Sequence, residues 1–187
     1  MSEPEAPFLI ISSSLNPSSR SRILANAVRH DLESAGEPVD WVDLAEVELP
    51  LCDGGAAYGH ENVSILTERI LAARGILVAT PIYNYTINAA LKNLIELTGR
   101  NWTGKVVGFA CAAGGQSSYM AVLPVANSLM VDFRCVIIPR FVYATGQHFE
   151  GPEISDSDLR ARVSRLSSDL VQFSNALFGL TEQAPVE

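Results

Sequence analysis

Two short runs, Ile76-Leu77-Val78-Ala79 and Val106-Val107-Gly108-Phe109-Ala110, carry no polar alternation. A strand with one face in water alternates apolar and polar residues. A strand apolar on both faces belongs to a parallel sheet covered by helices on each side. Strand-like segments are read over Phe8 to Ser12, Pro38 to Asp43, Gly75 to Thr80, Lys105 to Ala110 and Arg134 to Ile138. Helical periodicity falls between and after them, over Ser19 to Ala35, Asn62 to Ala73, Asn88 to Thr98, Ser117 to Phe133 and Asp156 to Phe178. Five such units predict an α/β fold, a three-layer doubly wound parallel sheet. Five strands favour the order 2-1-3-4-5.

The 187 residues suit one domain over 1–187, with 1–7 and 181–187 as flexible tails. No apolar run approaches the ~20 residues that span a bilayer, so no membrane partner is expected. The first residues lack the basic and apolar regions of a signal peptide. A net charge of −8 disfavours nucleic acid, which needs a basic face to displace counterions. Cys52, Cys111 and Cys135 are odd in number and widely spaced, neither a disulfide framework nor a zinc site. Cys135 reads as core, Cys52 as a loop residue, and Cys111 as the end of a strand beside a glycine turn. A reduced, cytoplasmic protein is expected.

In such sheets, ligands bind at the carboxyl ends of the strands where the strand order reverses, so the loops after strands one, three and four converge. The first loop is Ser12-Ser13-Ser14-Leu15-Asn16-Pro17-Ser18-Ser19-Arg20-Ser21-Arg22, leading into a helix. One hydroxyl suffices for a helix cap. A run of hydroxyls at a helix start, where the amides are unpaired and the dipole is positive, points to a phosphate. Ser14, Asn16, Ser19 and Ser21 are the candidates, with Arg20 as a charge partner. The second loop, Thr80-Pro81-Ile82-Tyr83-Asn84-Tyr85-Thr86-Ile87, is a rigid turn able to press amides and a ring against a flat heterocycle. The third, Cys111-Ala112-Ala113-Gly114-Gly115-Gln116-Ser117-Ser118, lets backbone come close to a ligand and leaves room for a ring system.

Other chemistries on this topology fail. The acidic cluster of a phospho-acceptor domain is replaced by Ser12 to Ser14 and Thr80-Pro81. The Cys-x5-Arg of a small tyrosine phosphatase has its spacing at Ser14 to Arg20, with an unactivated hydroxyl for the thiol. A Gly-x-Gly-x-x-Gly fingerprint is absent after strand one. His30 reads as a surface residue of the first helix, His60 as a cap neighbour, and His148 as able to reach the rim of the pocket. No metal cluster appears.

These loops together resemble those of the NADPH-dependent FMN reductase family, which includes quinone, azo and chromate reductases. The family's Gly-Ser-x-Arg and following Ser are matched by Ser13-Ser14-Leu15-Asn16 and Ser19. Its Pro-Glu-Tyr-Asn-x-Ser is matched by Pro81-Ile82-Tyr83-Asn84-Tyr85-Thr86, then Leu91-Lys92-Asn93. Trp102-Thr103-Gly104-Lys105 and Ala112-Ala113-Gly114-Gly115 follow in register, so that the likeness covers Phe8 to Ile138. Ser13 stands for the usual Gly, Asn16 for an Arg and Ile82 for a Glu, departures that predict weaker FMN binding and a more apolar rim.

The resemblance implies a flavodoxin-like fold and FMN as cofactor. Ser13, Ser14, Asn16, Ser19, Arg20 and Ser21 would sit around its phosphate. Pro81, Ile82, Tyr83, Asn84, Tyr85 and Thr86 would lie on one side of the ring, and Ala113, Gly114, Gly115 and Gln116 on another. It implies hydride transfer from NADPH or NADH, through FMN N5, to a flavin, quinone or similar small acceptor. The flavin would bear the chemistry, with no catalytic side chain. It also implies a homodimer, for which the sequence offers Ile87, Leu91, Leu94 and Ile95 with Met120, Val122, Leu123, Val125, Leu129 and Met130. A flavodoxin-like electron carrier without NAD(P)H activity is the alternative. An interaction protein that has lost the flavin is a third.

Overall fold

Residues alternate sides along a strand, and here both sides are apolar. In the computed structural model, which describes residues 6–181, β1 (Phe8–Ser12) turns Leu9 and Ile11 to one core and Phe8 and Ile10 to the other. Chain order then gives α1 (Arg20–Ser34), β2 (Val39–Asp43), α2 (Glu61–Ala72), β3 (Gly75–Tyr83), β4 (Thr86–Ile87) and α3 (Ala89–Thr98). β5 (Val106–Ala113), α4 (Leu123–Phe133), β6 (Val136–Ile137), β7 (Val142–Thr145), β8 (Phe149–Glu150), β9 (Glu153–Ile154) and α5 (Ser157–Thr181) complete it. Helices α1 and α5 cover one face, where Leu24, Val28, Leu159 and Val163 meet Phe8, Leu77 and Ala110. On the other, Leu66, Leu91, Leu94 and Leu129 meet Ile76, Val78 and Phe109.

The main sheet is parallel in the order β2-β1-β3-β5-β6, with β7 also beside β5. This is the 2-1-3-4-5 order expected, with β6 and β7 together in the fifth position. The fifth strand differs in detail. It breaks at Pro139 and Arg140, because proline lacks the ladder donor and Arg140 is left-handed (φ 61°). The third and fourth strands run past their expected ends, to Tyr83 and Ala113. Cys111 therefore lies inside β5 rather than at its end. The helix expected from Ser117 begins instead as a 3-10 turn, Tyr119–Val122, with α4 proper starting at Leu123.

Strand lengths shape the carboxyl edge. β1 pairs with β3 only as far as Ser12 opposite Ala79, whereas β3 and β5 stay paired to Pro81 opposite Ala112. Pro81 is tolerated here because β1 has already ended and asks no amide of it. At the opposite edge, a Cβ on Gly75 would lie 2.2 Å from the Ser174 hydroxyl, so only glycine lets α5 pack there. The expected tails lie outside the described residues apart from Ala6, Pro7 and Thr181. Among the described residues, no helix is long and apolar enough to cross a membrane.

Asp31 of α1 is gripped by both terminal nitrogens of Arg160 on α5 and receives the Ser167 hydroxyl at 3.3 Å. Burial raises the Asp31 pKa, but the hydrogen bonds and charge of Arg160 and the serines outweigh it, and the carboxyl titrates below its usual value. A carboxyl depressed in the fold adds stability above its unfolded value, and that stability fades as pH falls through the folded one. Asp31→Asn is therefore expected to cost on the order of 1 kcal/mol at pH 7, a partly exposed pair. The difference from wild type should shrink below about pH 4. Urea midpoints at pH 7 and pH 3 check this; an undiminished difference at pH 3 would contradict it.

Candidate functional site

The loop after β1 begins by prolonging the pairing, with the Ser13 amide donating to the Ala79 carbonyl at 2.9 Å. Ser13 needs no glycine-like backbone, since the only non-glycine residues with positive φ among those described are Asn84, Tyr85, Arg134 and Arg140. Its hydroxyl donates to the Asn88 side-chain oxygen (2.9 Å), and the Asn88 amide group donates back to the Ser13 carbonyl (2.6 Å). The Thr80 hydroxyl reaches the same Asn88 oxygen at 3.2 Å. Buried Asn88 thus ties the serine loop to the carboxyl end of β3.

Beyond Ser13 the loop is held from behind by Arg22. Its Nη1 donates to the carbonyls of Asn16 (2.6 Å) and Pro17 (3.1 Å), and its Nη2 to that of Ser14 (3.0 Å). Asp43, at the end of β2, fixes the guanidinium at 2.5 and 3.0 Å. Hydrogen bonding to Asp43 raises the Arg22 pKa further above its usual value, so the clamp keeps its charge. The amides of Ser13, Asn16, Ser18 and Ser19 are also bonded within the protein, so the first turn of α1 supplies the amides left for a ligand. Ser19 is the N-cap of α1, yet its hydroxyl makes no capping bond and lies 2.7 Å from that of Ser21. The first amides of α1 are thus left without a side-chain cap, the arrangement that receives an anion. The Ser12 hydroxyl at the end of β1 is buried, lines no part of the cleft and has no hydrogen-bond partner among the described residues. Arg20 makes no ion pair or hydrogen bond among the described residues, and its guanidinium lies against Gly146, 3.1 Å from a Cβ built there.

After β3 the chain reverses in two residues. Tyr83 pairs with Thr86, and both Asn84 (φ 50°) and Tyr85 (φ 61°) are left-handed, as a type I′ hairpin turn demands. Asparagine tolerates this conformation; tyrosine adopts it at a cost. After β5, the Tyr143 phenol donates to the Gly115 carbonyl and receives the Ser118 hydroxyl at 2.8 Å. No heavy atom lies within 4 Å of a Cβ built on Gly114 or Gly115, so this backbone faces open space.

The three loops enclose one cleft of about 800 Å³. Of the residues singled out in the sequence, Ser14, Asn16, Ser19, Arg20 and Ser21 line one end. Pro81, Ile82, Tyr83, Asn84, Ala113 and Gly114 line the other. Ser13, Tyr85, Thr86, Gly115 and Gln116 do not line it: Ser13 is occupied by Asn88, and Thr86 faces a neighbouring groove. Ser18, Ile23, Ala112 and Gly151 line the cleft without having been singled out. Gly151 was legible only as a Gly-Pro turn far along the chain. The clamps Arg22, Asn88 and Tyr143 were missed because each also depends on a partner 21 to 75 residues away: Asp43 for Arg22, Ser13 for Asn88 and Gly115 for Tyr143.

The remaining candidates lie elsewhere. Burial pushes the Cys111 thiol up to about 12 and that of Cys135 to about 11, so neither is a thiolate at neutral pH. His148 does not line the cleft; its Nδ1 accepts the Thr145 amide at 2.9 Å inside the fold. His60 caps α2 by accepting the Asn62 amide. Among the described residues, no group of His, Cys, Asp or Glu could hold a metal.

Comparison with known proteins agrees with this geometry. The sequence model of the NADPH-dependent FMN reductase family matches residues 7–150. The NAD(P)H-dependent FAD/FMN reductase of Geobacillus thermodenitrificans is 29% identical over 137 residues, 71% of this chain and 74% of that protein. The NADPH azoreductase of Bacillus sp. (strain OY1-2) is 25% identical over 170 residues, 90% of this chain and 92% of that one. Among solved structures, the flavoenzyme NAD(P)H:(acceptor) oxidoreductase FerB of Paracoccus denitrificans superposes with a TM-score of 0.75 at 17% identity, covering 92% of this chain and 99% of that one, a likeness of fold.

The left-handed Tyr85 gives a direct check on the hairpin. Tyr85→Gly relieves a strain of about 1–3 kcal/mol, offset by the greater freedom glycine gains in the unfolded chain. The melting temperature is expected to rise by about 2 °C. A fall would contradict the conformation of this turn.

Proposed function

This chain belongs to the NADPH-dependent FMN reductase family; it is an FMN-dependent NAD(P)H oxidoreductase, and we propose that the cleft bounded by the three loops is its flavin site. The observation that carries the proposal is convergence. Uncapped helix amides and serine hydroxyls stand at one end of a single cleft, and Pro81–Asn84 with Ala112–Gly114 stand at the other.

The cleft suits FMN in its chemistry. Uncapped amides, the Ser14, Ser19 and Ser21 side chains at the cleft and the unpaired Arg20 match a phosphate carrying close to two charges. Backbone in open space at Gly114 and apolar Ile82 and Pro81 match a flat ring. FMN supplies hydride acceptance and donation; the protein supplies binding, orientation and electrostatics. Ser14, Asn16, Ser19, Ser21 and Arg20 would hold the phosphate, with Arg22 and Asp43 fixing the loop behind them. The turn at Asn84 and the Ala113–Gly114 segment would hold the ring and keep one approach open to a nicotinamide and then to an acceptor. Hydride transfer asks for no general acid or base, in keeping with a cleft whose side chains with exchangeable protons are hydroxyls, amides, arginine and the rim phenol of Tyr83. The apolar Ile82 favours a small, flat, weakly charged acceptor such as a quinone or azo compound.

The assembly we favour is a homodimer through α3 and α4. Of the apolar residues the sequence offers for it, Ile87, Leu91, Leu94, Ile95, Val122, Val125 and Leu129 are buried, but Met120, Leu123 and Met130 remain exposed, as does Val131 of α4. Between α3 and α4 a groove of about 570 Å³, walled by Ile95, Pro124 and Val125, shares Tyr83 and Asn84 with the cleft. A monomer mass by light scattering would overturn this. Three free cysteines accord with a reducing, cytoplasmic setting.

The reading is tested by titrating the apoprotein with FMN and adding NADPH or NADH without air. FMN should bind and its absorbance should bleach; binding without bleaching would mark an electron carrier, and no binding would overturn the site. Arg22→Met should weaken FMN at least tenfold, about 1.4 kcal/mol, by freeing the Ser14, Asn16 and Pro17 carbonyls. Gly114→Val should weaken FMN several-fold while shifting the melting temperature little, since its Cβ meets nothing in the protein.

A further inference from the structure

Among the described residues that line the flavin cleft, Arg20 is the one charged side chain. Its guanidinium rests on a turn that lies outside the cleft lining. We propose that this turn, Gly146–His148 after β7, positions Arg20 at the phosphate end and thereby sets the preference of the site for a phosphorylated flavin over an unphosphorylated one. The inference rests on the flavin site proposed above.

The guanidinium lies broadside to Gly146. A Cβ built there would stand 3.1 Å from Nη1, 3.2 Å from Cζ and 3.3 Å from Nη2, and no other atom would be nearer. A planar group supported across its face keeps its N–H edge clear, and Arg20 spends none of those donors on other described residues. The φ of Gly146 is not left-handed, so its backbone accepts any residue. A side chain at this position therefore acts first on Arg20, by pushing it off its support. Charge makes that placement matter. FMN carries close to two negative charges on its phosphate and riboflavin carries none there. The serine hydroxyls and helix amides are neutral, and Arg22 is spent on Asp43 and on the loop carbonyls behind the cleft. Recognition of the phosphate by a full opposite charge falls to Arg20.

A support works only if it is itself held. Thr145, the last residue of β7, pairs with Ala113, the last residue of β5, so Gly146 stands one step beyond the sheet. Buried His148 closes the turn. Its amide donates to the Thr145 hydroxyl, and the Thr145 amide donates to its Nδ1 at 2.9 Å. The His148 carbonyl in turn accepts the amides of Ser155 (3.0 Å) and Asp156 (3.4 Å), just before α5. The turn is therefore tied to the sheet on one side and to the entry of α5 on the other. His148, a histidine that touches no part of the cleft, acts on it through Gly146 and Arg20.

Fluorescence titration of the apoprotein with FMN and with riboflavin tests this. Arg20→Gln should weaken FMN about tenfold and riboflavin less than about twofold. Gly146→Val should weaken FMN about fivefold, again sparing riboflavin, with a melting temperature close to that of wild type. Combined with Arg20→Gln, it should cost FMN less than about a further twofold, since the cation it displaces is already gone. His148→Ala should weaken FMN about threefold, and His148→Asn, whose Oδ1 can accept the Thr145 amide in place of Nδ1, should restore most of that loss. The positioning role would be overturned if Gly146→Val left FMN binding unchanged, weakened riboflavin as much as FMN, or added its full effect to that of Arg20→Gln. Each of those results leaves the flavin site standing. Failure of FMN to bind wild type would overturn the two together.

Discussion

A strand buried on both faces can satisfy its backbone only by pairing with neighbouring strands, and its side chains only beneath helices. That constraint, set by β1, β3 and β5, places all chain reversals of one polarity along a single edge. It also makes strand length consequential. β1 stops at Ser12 while β3 and β5 continue, so the chain leaving β1 must turn over ground that its neighbours wall on one side. The cleft follows from this difference in length together with the loops that cross it.

Loops at such an edge are free to wander unless something holds them, and each here is held from outside the cleft. Arg22, braced by Asp43, takes three carbonyls of the serine loop. Asn88 binds Ser13 and Thr80 together. Tyr143 binds Gly115 and Ser118. In every case a side chain outside the cleft lining holds the loop by its backbone. Preorganisation of this kind lowers the entropy lost on binding and, at the flavin site we propose, would fix where a ring and its phosphate lie relative to each other. It also explains how Ser13 replaces a glycine without strain: its hydroxyl gains the Asn88 partner, and its backbone needs no positive φ.

Much of this was legible in the residues. Unalternating runs announced the parallel sheet, and the hydroxyl-rich turn, the Pro81–Thr86 segment and the paired glycines marked the three loops. Two kinds of feature were not legible. Strand ends were misjudged where a proline fits because the neighbouring strand has stopped, as at Pro81, or interrupts a strand, as at Pro139; local sequence does not say which. The clamps were missed because arginine, asparagine and tyrosine in helices and strands have many uses, and their partners are fixed only by the fold. The aromatic turn shows the same limit. Tyr85 reads as a ring for a ligand, yet the type I′ geometry that pairs Tyr83 with Thr86 leaves it outside the cleft.

The central claim is that three loops, far apart in the chain, act as one flavin site. Amide hydrogen exchange with and without FMN tests it most directly. Saturating FMN should slow exchange together at three places: in the serine loop through the first turn of α1, at residues 82–84 and at residues 112–114, with little change at the α3–α4 groove. Protection confined to one loop, or centred on that groove, would contradict it.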